Sequence, residues 1–355
     1  MSGERDSSIF FGTLADVGRR IDCARTVIVT DPMVRRLHGA DFPPCRMIEV
    51  ERGEAAKTLA SAEKLYDSFL ALGVDRAWTA LAIGGGSISD LAGFAASTWL
   101  RGIDFGFSPT TLLAMLDASI GGKNGVDFRG RKNLVGTFTK PRFVNFDVSL
   151  LGTLPDEDFA SGMAEAIKHG IIEGEPHFRF LEERCASRPA MGLATLEELV
   201  RRSVDFKTEV AGRDERESGE RRKLNLGHTI GHAIEAVTGL SHGRAVAAGL
   251  GAALRFSVAR HGGDPAMEAR VAAFLAGWGL PASIRAAADL AGQADGLTDV
   301  MADGSAFRKA VAGALAADKK RISSDILFAL PVRIGEVRIV PISLTALCDF
   351  VMEAP

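Results

Sequence analysis

The feature that most limits how this chain can fold is a short apolar segment that ends in three glycines and continues as a helix. Residues 78–86 (WTALAIGGG) have the composition and the turn-residue border of a buried strand, and a helix begins near Ser87. Free backbone N–H groups at such a turn lie at the positive end of the following helix, where a phosphate would fit. The unit predicts an α/β fold. Because the GxGxxG fingerprint is incomplete, a tight turn remains the alternative to a dinucleotide pyrophosphate site.

Two further apolar segments predict a sheet around this unit. Residues 25–31 (RTVIVTD) and 143–151 (FVNFDVSLL) have the pattern of short buried strands, and residues 55–73 have helical apolar spacing that ends on glycine. Alternating strands and helices favour a parallel sheet with helices on its faces. We therefore predict an α/β dinucleotide-binding domain over residues 1–152.

The remainder of the chain has the pattern of long helices. Helical stretches are predicted at residues 159–173, 196–209, 228–237 and 245–261. A proline followed by acidic residues in TLPDEDF marks a helix start near the change of pattern. The second prediction is a mainly α-helical domain over residues 153–355.

Composition narrows the class of partner. The 355 residues are 46% hydrophobic and 25% charged, as in a globular protein, and the net charge of −3 gives no electrostatic case for nucleic acid. The first residues do not have the layout of a signal peptide, and no apolar run reaches transmembrane length. We expect a cytoplasmic protein with a small-molecule partner and no membrane partner.

The four cysteines are scattered through the sequence. Cys23, Cys45, Cys185 and Cys348 form no CxxC pair, so neither a disulfide framework nor a thiolate zinc site is indicated. We expect four reduced thiols.

Polar residues cluster in a glycine-rich stretch of the first domain. Residues 108–136 predict a long functional loop, because their glycines permit close backbone approach to a ligand; the candidates are Thr110, Thr111, Asp117, Lys123, Lys132 and Asn133. Asp31 ends the first predicted strand, where it could accept hydrogen bonds from ribose hydroxyls, and Glu54 with Lys57 could do the same. Taken alone, each is more commonly a turn or solvated residue.

Three of the seven histidines lie close together in sequence and indicate a metal site. His228 and His232 are four residues apart and share a helix face, and His242 follows ten residues after His232. HTIGH lacks the glutamate of HExxH, so a third ligand must come from elsewhere. Glu165 in SGMAEAIKHG is the natural oxygen ligand, and a glutamate with two histidines is a known open zinc set.

The segment around Glu165 also allows a simpler interpretation. Glu165 and Lys168 are three residues apart on one helix face, so a surface ion pair is the alternative to a metal ligand, and His169 is expected to point elsewhere.

A strongly charged segment precedes the histidines. Residues 201–225 hold eight basic and six acidic residues, which ordinarily means a solvated helix and loop. Lys207, Arg221 and Asn225 nevertheless flank the histidine helix, where an anionic substrate would need cations. Lys319 and Lys320 could supply another.

Seven ordered blocks of sequence together resemble one known family. The blocks are GGGSISDLAGFAAS, PTTLLAMLDASIGGK, KNLVGTF, TLPDEDFASGMAEAIKHGII, DERESGERRKLNLGHTIGHAIE, HGRAVAAG and DKKRISSDILFALPVRIG. They occur in the order found in the 3-dehydroquinate synthases, within the sugar-phosphate cyclase superfamily. The resemblance implies an NAD-binding α/β domain, a helical domain and a zinc-bearing cleft between them. It implies conversion of 3-deoxy-D-arabino-heptulosonate 7-phosphate to 3-dehydroquinate and phosphate in the shikimate pathway, with NAD regenerated in each turnover.

The resemblance also implies a role for individual residues and a homodimer. Metal ligands to zinc or cobalt would be Glu165, His228 and His242, with His232 contacting substrate. The remaining substrate residues would be Asp117, Lys123, Asn133, Lys168, Lys207, Arg221, Asn225, Lys319 or Lys320, and Arg101 from the same or a neighbouring subunit. The NAD residues would be Asp31, Glu54, Lys57, Gly85, Gly86, Asp90, Thr110, Thr111, Lys132 and Thr153.

Three other functions are weighed against this one. A cyclase acting on sedoheptulose 7-phosphate or a related sugar phosphate would typically lack the counterparts of Arg221, Asn225 and the late lysine, Lys319 or Lys320. Their presence favours a substrate with a carboxylate. A metal-dependent NAD polyol dehydrogenase would release NADH stoichiometrically, and an idle NAD-binding interaction protein would not need an intact metal set. The chain departs from the commoner family residues at Asn124, Arg131 and Arg244.

Overall fold

A computed structural model describes residues 7–214, 217, 219–292, 304–319 and 325–353, with residues 318 and 319 described by their backbone alone. The chain forms two compact units, Met1–Phe159 and Ala160–Pro355. The division falls inside a helix, Asp156–Glu173, a few residues after the boundary predicted at 152. An α/β unit is thus followed by a mainly helical one, as the sequence predicts.

The first unit is built on a parallel sheet. Its six strands are β1 (Ser8–Phe11), β2 (Thr26–Thr30), β3 (Arg46–Glu49), β4 (Thr79–Gly84), β5 (Asp104–Pro109) and β8 (Phe143–Phe146). They lie in the order β1-β8-β5-β4-β2-β3, and every neighbouring pair is parallel. The central strands have continuous apolar sequences because helices cover both faces of such a sheet. Leu81 and Ile83 of β4 are fully buried.

Four helices belong to this unit. They are α1 (Leu14–Val17), α2 (Pro32–His38), α3 (Leu59–Leu72) and α4 (Gly86–Thr98). Thr58 caps the start of α3 by accepting the N–H of Ser61, and Gly73 ends the helix with a left-handed φ of 69°. The three predicted strands are confirmed as β2, β4 and the first half of 143–151.

Two predictions for the first unit are wrong in detail. The strand β8 ends at Phe146, because the Asp147 carboxylate accepts the N–H of Ser149 and starts a 3₁₀ helix, Val148–Thr153. Residues 108–136 are not a long loop: they contain a π-helix, Ala114–Ala118, and most of an antiparallel ribbon. The strands of that ribbon are β6 (Lys123–Phe128) and β7 (Arg131–Phe138).

The prediction of four reduced thiols is wrong for two of them. Cys23 and Cys45 form a disulfide with their Cα atoms 4.6 Å apart, whereas Cys185 and Cys348 are free. The two paired residues directly precede β2 and β3, which are parallel neighbours and therefore begin at the same edge of the sheet. Burial raises the pKa of the Cys185 thiol to about 12, so that side chain packs as a small apolar residue.

The second unit is mainly helical. Its helices are α5 (Asp156–Glu173), α6 (Glu175–Arg184), α7 (Leu193–Arg213), α8 (His228–Thr238), α9 (His242–His261), α10 (Pro265–Gly277), α11 (Ile284–Gly292), α12 (Gly304–Lys319) and α13 (Leu344–Glu353). The four predicted helices are confirmed as α5, α7, α8 and α9. An antiparallel ribbon of β9 (Asp325–Arg333) and β10 (Glu336–Ser343) was not predicted. None of the helices in the described part of the chain is long and apolar enough to cross a membrane.

The contact between α8 and α9 depends on glycine. A Cβ added to Gly249 of α9 would lie 2.1 Å from the carbonyl oxygen of Gly227, and one added to Gly231 of α8 would lie 2.9 Å from that of Ala245. Gly227 itself has a left-handed φ of 81°. Because side chains are missing at these points, the two backbones touch, and the helix starts that carry His228 and His242 come together.

A methyl group at this contact should therefore be costly. We expect Gly249→Ala to destabilise the protein by at least about 1–3 kcal/mol, since neither backbone can move without the helix that carries it. The measurement is the midpoint of urea unfolding followed by circular dichroism. Gly212→Ala is the matched control: a Cβ there meets nothing within 4 Å, so alanine should raise stability by about 0.5–1 kcal/mol. Equal midpoints for the two variants would contradict this account of the packing.

Candidate active site

A carboxylate and two imidazoles converge in the second unit. Glu165, His228 and His242 each present one potential ligand atom, and these atoms all lie within 4.8 Å of one another. The His228 Nε2 atom is 3.6 Å from Glu165 Oε1, and the two imidazole rings have centroids 5.2 Å apart. The three residues that the sequence singled out as metal ligands are therefore brought together by the fold.

The site forms where three helices meet. Glu165 lies in the middle of α5, and His228 and His242 are the first residues of α8 and α9. One turn before Glu165, the Ser161 hydroxyl accepts a 3.0 Å hydrogen bond from the N–H of Gly243. A Cβ on Gly243 would lie 2.0 Å from the Ser161 carbonyl oxygen, so glycine is required next to His242. Ser161 and Gly243 thus fix the distance between the glutamate helix and the start of α9.

The surroundings of Glu165 suit a cation. Its side chain is 0% exposed, and among the described residues no hydrogen-bond donor reaches Oε1, the oxygen that faces His228. Lys168 forms an ion pair with the other oxygen, Oε2. A buried carboxylate oxygen that lacks a donor is costly unless a charge or a metal compensates it. One carboxylate oxygen and two imidazole nitrogens form a donor set that zinc or cobalt accepts.

Two expectations about this segment are wrong. The Glu165–Lys168 pair is not on the surface, since Lys168 is only 1% exposed. His169 does not point elsewhere: its Nε2 atom is 4.0 Å from Glu165 Oε2, and its ring packs against Phe206. A spacing of four residues places side chains on one helix face just as a spacing of three does.

The remaining predicted residues of this unit occupy different surroundings. His232 is exposed one turn after His228, with ring centroids 5.2 Å apart. Lys207 and Arg221 are buried, which contradicts a wholly solvated segment. Asn225 donates its side-chain N–H to the Glu217 carboxylate. The Lys319 side chain and all of Lys320 lie outside the described residues.

Sequence reasoning missed one acidic residue beside the predicted metal ligands. Glu235 is 9% exposed, and its Oε2 atom is 3.4 Å from Nδ1 of His242. A signal for it was present, because position 235 is seven residues after His228, two turns along the same face of α8.

The glycine turn of the first unit follows β4 and starts α4. Gly85 is the N-cap of α4 and Gly86 its first residue. A Cβ on Gly86 would lie 3.2 Å from that of Ala118, and one on Gly85 would lie 3.3 Å from the Thr111 side chain. The turn is therefore closely surrounded. The N–H groups at the start of α4 can donate hydrogen bonds to an anion.

Charged residues predicted for the nucleotide surround the start of α4. The Lys57 ammonium is 2.5 Å from Asp90 and 3.7 Å from Glu54, and the Lys132 ammonium is also 3.7 Å from Glu54. Glu54 further accepts a 2.7 Å hydrogen bond from Ser87. The fold thus brings together four residues from three separate stretches of the sequence.

Other residues predicted to bind the nucleotide have structural contacts of their own. Asp31 is the N-cap of α2 and accepts the N–H groups of residues 33 and 34, the structural role left open by the sequence. Thr153 donates its hydroxyl to the Leu150 carbonyl and lies 2.9 Å from Nε2 of His38. Thr111 accepts the N–H of residue 114, and Thr110 is buried.

The predicted substrate residues of the first unit are spread over several elements. Asp117 lies in the π-helix, Lys123 begins β6, Asn133 lies in β7, and Arg101 ends a 3₁₀ helix, Trp99–Arg101. Arg101 and Asn133 both have left-handed backbones, with φ of 68° and 54°. These conformations are uncommon outside glycine and are enriched at functional positions.

The architecture and its metal set define a class of protein, which comparison identifies. Residues 47–161 match the family model described as 3-dehydroquinate synthase N-terminal, and residues 162–303 match the one described as 3-dehydroquinate synthase C-terminal. The 3-dehydroquinate synthase of Symbiobacterium thermophilum is 38% identical over 360 residues, covering 96% of this chain and 95% of that protein. The chain belongs to the 3-dehydroquinate synthase family.

Two solved structures share the fold along the whole chain. One is 2-epi-5-epi-valiolone synthase from Streptomyces hygroscopicus subsp. jinggangensis with NAD+ and Zn2+ bound; its TM-score is 0.82 at 25% identity, and the match covers 99% of this chain and 98% of that chain. The other is 2-deoxy-scyllo-inosose synthase complexed with carbaglucose-6-phosphate, NAD+ and Co2+, with a TM-score of 0.82, 25% identity and coverage of 98% and 96%. The predicted fold class is confirmed.

The charged cluster at α4 leads to a pH-dependent prediction. Burial raises the pKa of Asp90 to about 6, although Lys57 opposes the rise. Because the folded chain holds this proton more tightly than the unfolded chain, Asp90 ionisation lowers stability as pH rises from 3.8 to about 6. Lys57→Met removes the opposing cation and should move the pKa of Asp90 above 6, as measured by carbon NMR of the carboxyl group. Asp90→Asn identifies the signal, and an unchanged pKa in Lys57→Met would refute the pairing.

Proposed function

We propose that this protein catalyses the reaction of its family, the conversion of 3-deoxy-D-arabino-heptulosonate 7-phosphate to 3-dehydroquinate and inorganic phosphate. The product is the substrate minus phosphoric acid, so the reaction is a phosphate-eliminating cyclisation, carried out by a lyase. The observation that carries the proposal is the convergence of Glu165, His228 and His242 in a chain with the family's sequence over both units.

The cofactors of the proposal are NAD and zinc or cobalt. When bound, a divalent cation acidifies substrate hydroxyls, and NAD accepts a hydride and returns it within one turnover. The chain provides Glu165, His228 and His242 for the cation. For NAD it provides the turn at Gly85 and Gly86 with Asp31, Glu54, Lys57, Asp90, Thr110, Thr111, Lys132 and Thr153.

Lys168 has a specific task in this scheme. Its ammonium is buried against Glu165 Oε2, so it orients the carboxylate and leaves Oε1 on the side of His228. An opposite charge in such a setting offsets part of the cost of burying a carboxylate. Lys168 therefore supports the metal set and remains a candidate to contact substrate, as does exposed His232.

The substrate carries a carboxylate and a phosphate, and the chain provides cations for both. Arg221 offers the planar fork that binds either group bidentately, and Lys207 offers a point charge. We assign these two residues and Asn225 to the substrate, together with Asp117, Lys123, Asn133, Arg101 and Lys319 or Lys320. Much of the rate enhancement would then come from positioning and electrostatic stabilisation of a multiply charged substrate.

The proposal includes a cellular setting. Membership of the family supports a place in the shikimate pathway, a homodimeric assembly and a cytoplasmic location. A small anionic sugar phosphate is the partner, and no nucleic acid or membrane partner is expected.

Phosphate release is the direct test of the proposed activity. With zinc or cobalt and substoichiometric NAD, we expect phosphate to be released from 3-deoxy-D-arabino-heptulosonate 7-phosphate, and EDTA to stop the release. NADH should not accumulate, because the hydride returns to the substrate.

The alternatives predict different results in the same assay. Turnover of sedoheptulose 7-phosphate but not of the heptulosonate would indicate a related cyclase. Stoichiometric NADH from a polyol would indicate a dehydrogenase. No turnover with any of these substrates, despite bound NAD and metal, would leave a binding protein. Each of these outcomes refutes the proposed activity.

The ligand assignment predicts the effect of removing one charge. Glu165→Gln keeps the size of the side chain but leaves Lys168 facing a neutral amide. We expect metal to be lost on dialysis and activity to fall by more than about 100-fold. That loss exceeds the usual effect, about 10–100-fold, of mutating a residue that only hydrogen-bonds to a metal ligand. Glu183→Gln, at an exposed position in α6, is the control and should retain both. A Glu165→Gln protein with normal metal content would show that the ligands are elsewhere.

A further inference from the structure

We propose that Glu235 is a positioning residue, which holds the His242 ring by accepting the proton on its Nδ1 atom and so directs Nε2 towards the metal. The inference rests on the metal centre of the proposed function. It adds to the three ligands and Lys168 a side chain that fixes the ring of a ligand histidine without being a ligand itself.

The geometry around His242 supports this role. Glu235 Oε2 lies 3.4 Å from His242 Nδ1, and the glutamate side chain is only 9% exposed. A carboxylate can only accept a hydrogen bond when ionised, so the contact requires the proton to be on Nδ1. A neutral imidazole protonated there has its lone pair on Nε2, which is then the atom available to a cation.

His242 needs such a partner more than Glu165 does. Glu165 is enclosed in α5, whereas the His242 side chain is 27% exposed and begins α9, directly after a short connection from α8. The hydrogen bond from Gly243 to Ser161 fixes the backbone at this point but does not involve the ring. Ser161 therefore anchors the backbone beside this ligand, and Glu235 anchors its ring.

The second histidine has an equivalent contact, provided by the backbone. Nδ1 of His228 lies 3.3 Å from the carbonyl oxygen of Leu226, while its Nε2 faces Glu165. A carbonyl oxygen accepts only, so here too the proton belongs on Nδ1. Both histidines thus have an acceptor at Nδ1. They differ in charge, because the partner of His242 is a carboxylate, which makes the imidazole a more basic ligand.

A direct metal contact by Glu235 is the competing interpretation. His232, Glu235 and His242 also present ligand atoms within 4.8 Å of one another. The Glu165 set is favoured for two reasons. Oε1 of Glu165 is buried with no hydrogen-bond donor among the described residues, whereas Oε2 of Glu235 already lies 3.4 Å from Nδ1 of His242.

Metal affinity and the cobalt spectrum separate these interpretations without any turnover. We would compare the parent with Glu235→Met, which removes the acceptor, and Glu235→Gln, which keeps an acceptor oxygen but loses the charge. Each full-length protein is loaded with Co2+ or Zn2+. Dissociation constants are measured by competition with a chelator, and the visible absorption of Co2+ reports its ligands.

We expect Glu235→Met to weaken metal binding by about 10–100-fold, the usual effect of losing the outer partner of a ligand histidine. The Co2+ spectrum should keep the intensity of the parent, because the donor atoms are unchanged. Glu235→Gln should recover part of the affinity, since its amide oxygen can still accept from Nδ1 although the negative charge is lost. Glu183→Met, an exposed change in α6, should bind like the parent.

Three outcomes would overturn the role assigned to Glu235. A metal affinity in Glu235→Met equal to that of the parent would show that the contact between Glu235 and His242 does not contribute to metal binding. A loss as large as that of Glu165→Gln, with an altered Co2+ spectrum, would show that Glu235 is a ligand. Equal weakening by Met and Gln would show that charge, and not an acceptor at Nδ1, is what matters. Thermal unfolding of the metal-free variants verifies their fold. The metal affinities do not depend on turnover, so they can be interpreted even if the phosphate assay fails. The role of Glu235 and the proposed activity can therefore be refuted separately.

Discussion

The structure of the second unit is organised around one buried carboxylate. Glu165 is fully enclosed in α5, and an ionised group in that position must be compensated by nearby positive charge or by a cation. Lys168 supplies one compensating charge, and the Nε2 atom of His228 faces the oxygen that Lys168 does not contact. The three helices therefore place a buried carboxylate, a compensating cation and two imidazoles together, which is the basis of the proposed site.

Small residues make that arrangement possible. Glycines at 227, 231, 243 and 249 allow backbones to approach where any side chain would collide, and the Ser161 hydroxyl binds directly to the start of α9. Two imidazoles from different helices can then reach one carboxylate. The same principle operates in the first unit, where Gly85 and Gly86 let Thr111 and Ala118 pack closely against the start of α4. In both units, glycines allow neighbouring groups to approach the backbone of a helix start.

The sequence predicted the parts of the fold that depend on local pattern. The strand–glycine–helix unit, three strands and four helices were predicted because apolar periodicity and turn residues are local signals. The features that the sequence could not predict depend on contacts between residues that are far apart in the chain. Cys23 meets Cys45 only because β2 and β3 are adjacent, and β9 and β10 require each other. In the site, Glu165 and the histidines were found from residue type and resemblance. Glu235 was missed because its importance lies in a contact with His242, across a turn between two helices.

The positions of the two histidines explain why the centre needs more than one acidic residue. His228 and His242 are the first residues of α8 and α9, and a helix N-terminus carries a partial positive charge of about half a unit. Two such ends, the Lys168 ammonium and a divalent cation all contribute charge of the same sign. Glu165 alone supplies one negative charge. Glu235, buried beside His242, brings a second, so its carboxylate both orients the ring and reduces the repulsion that a cation would meet at these helix ends.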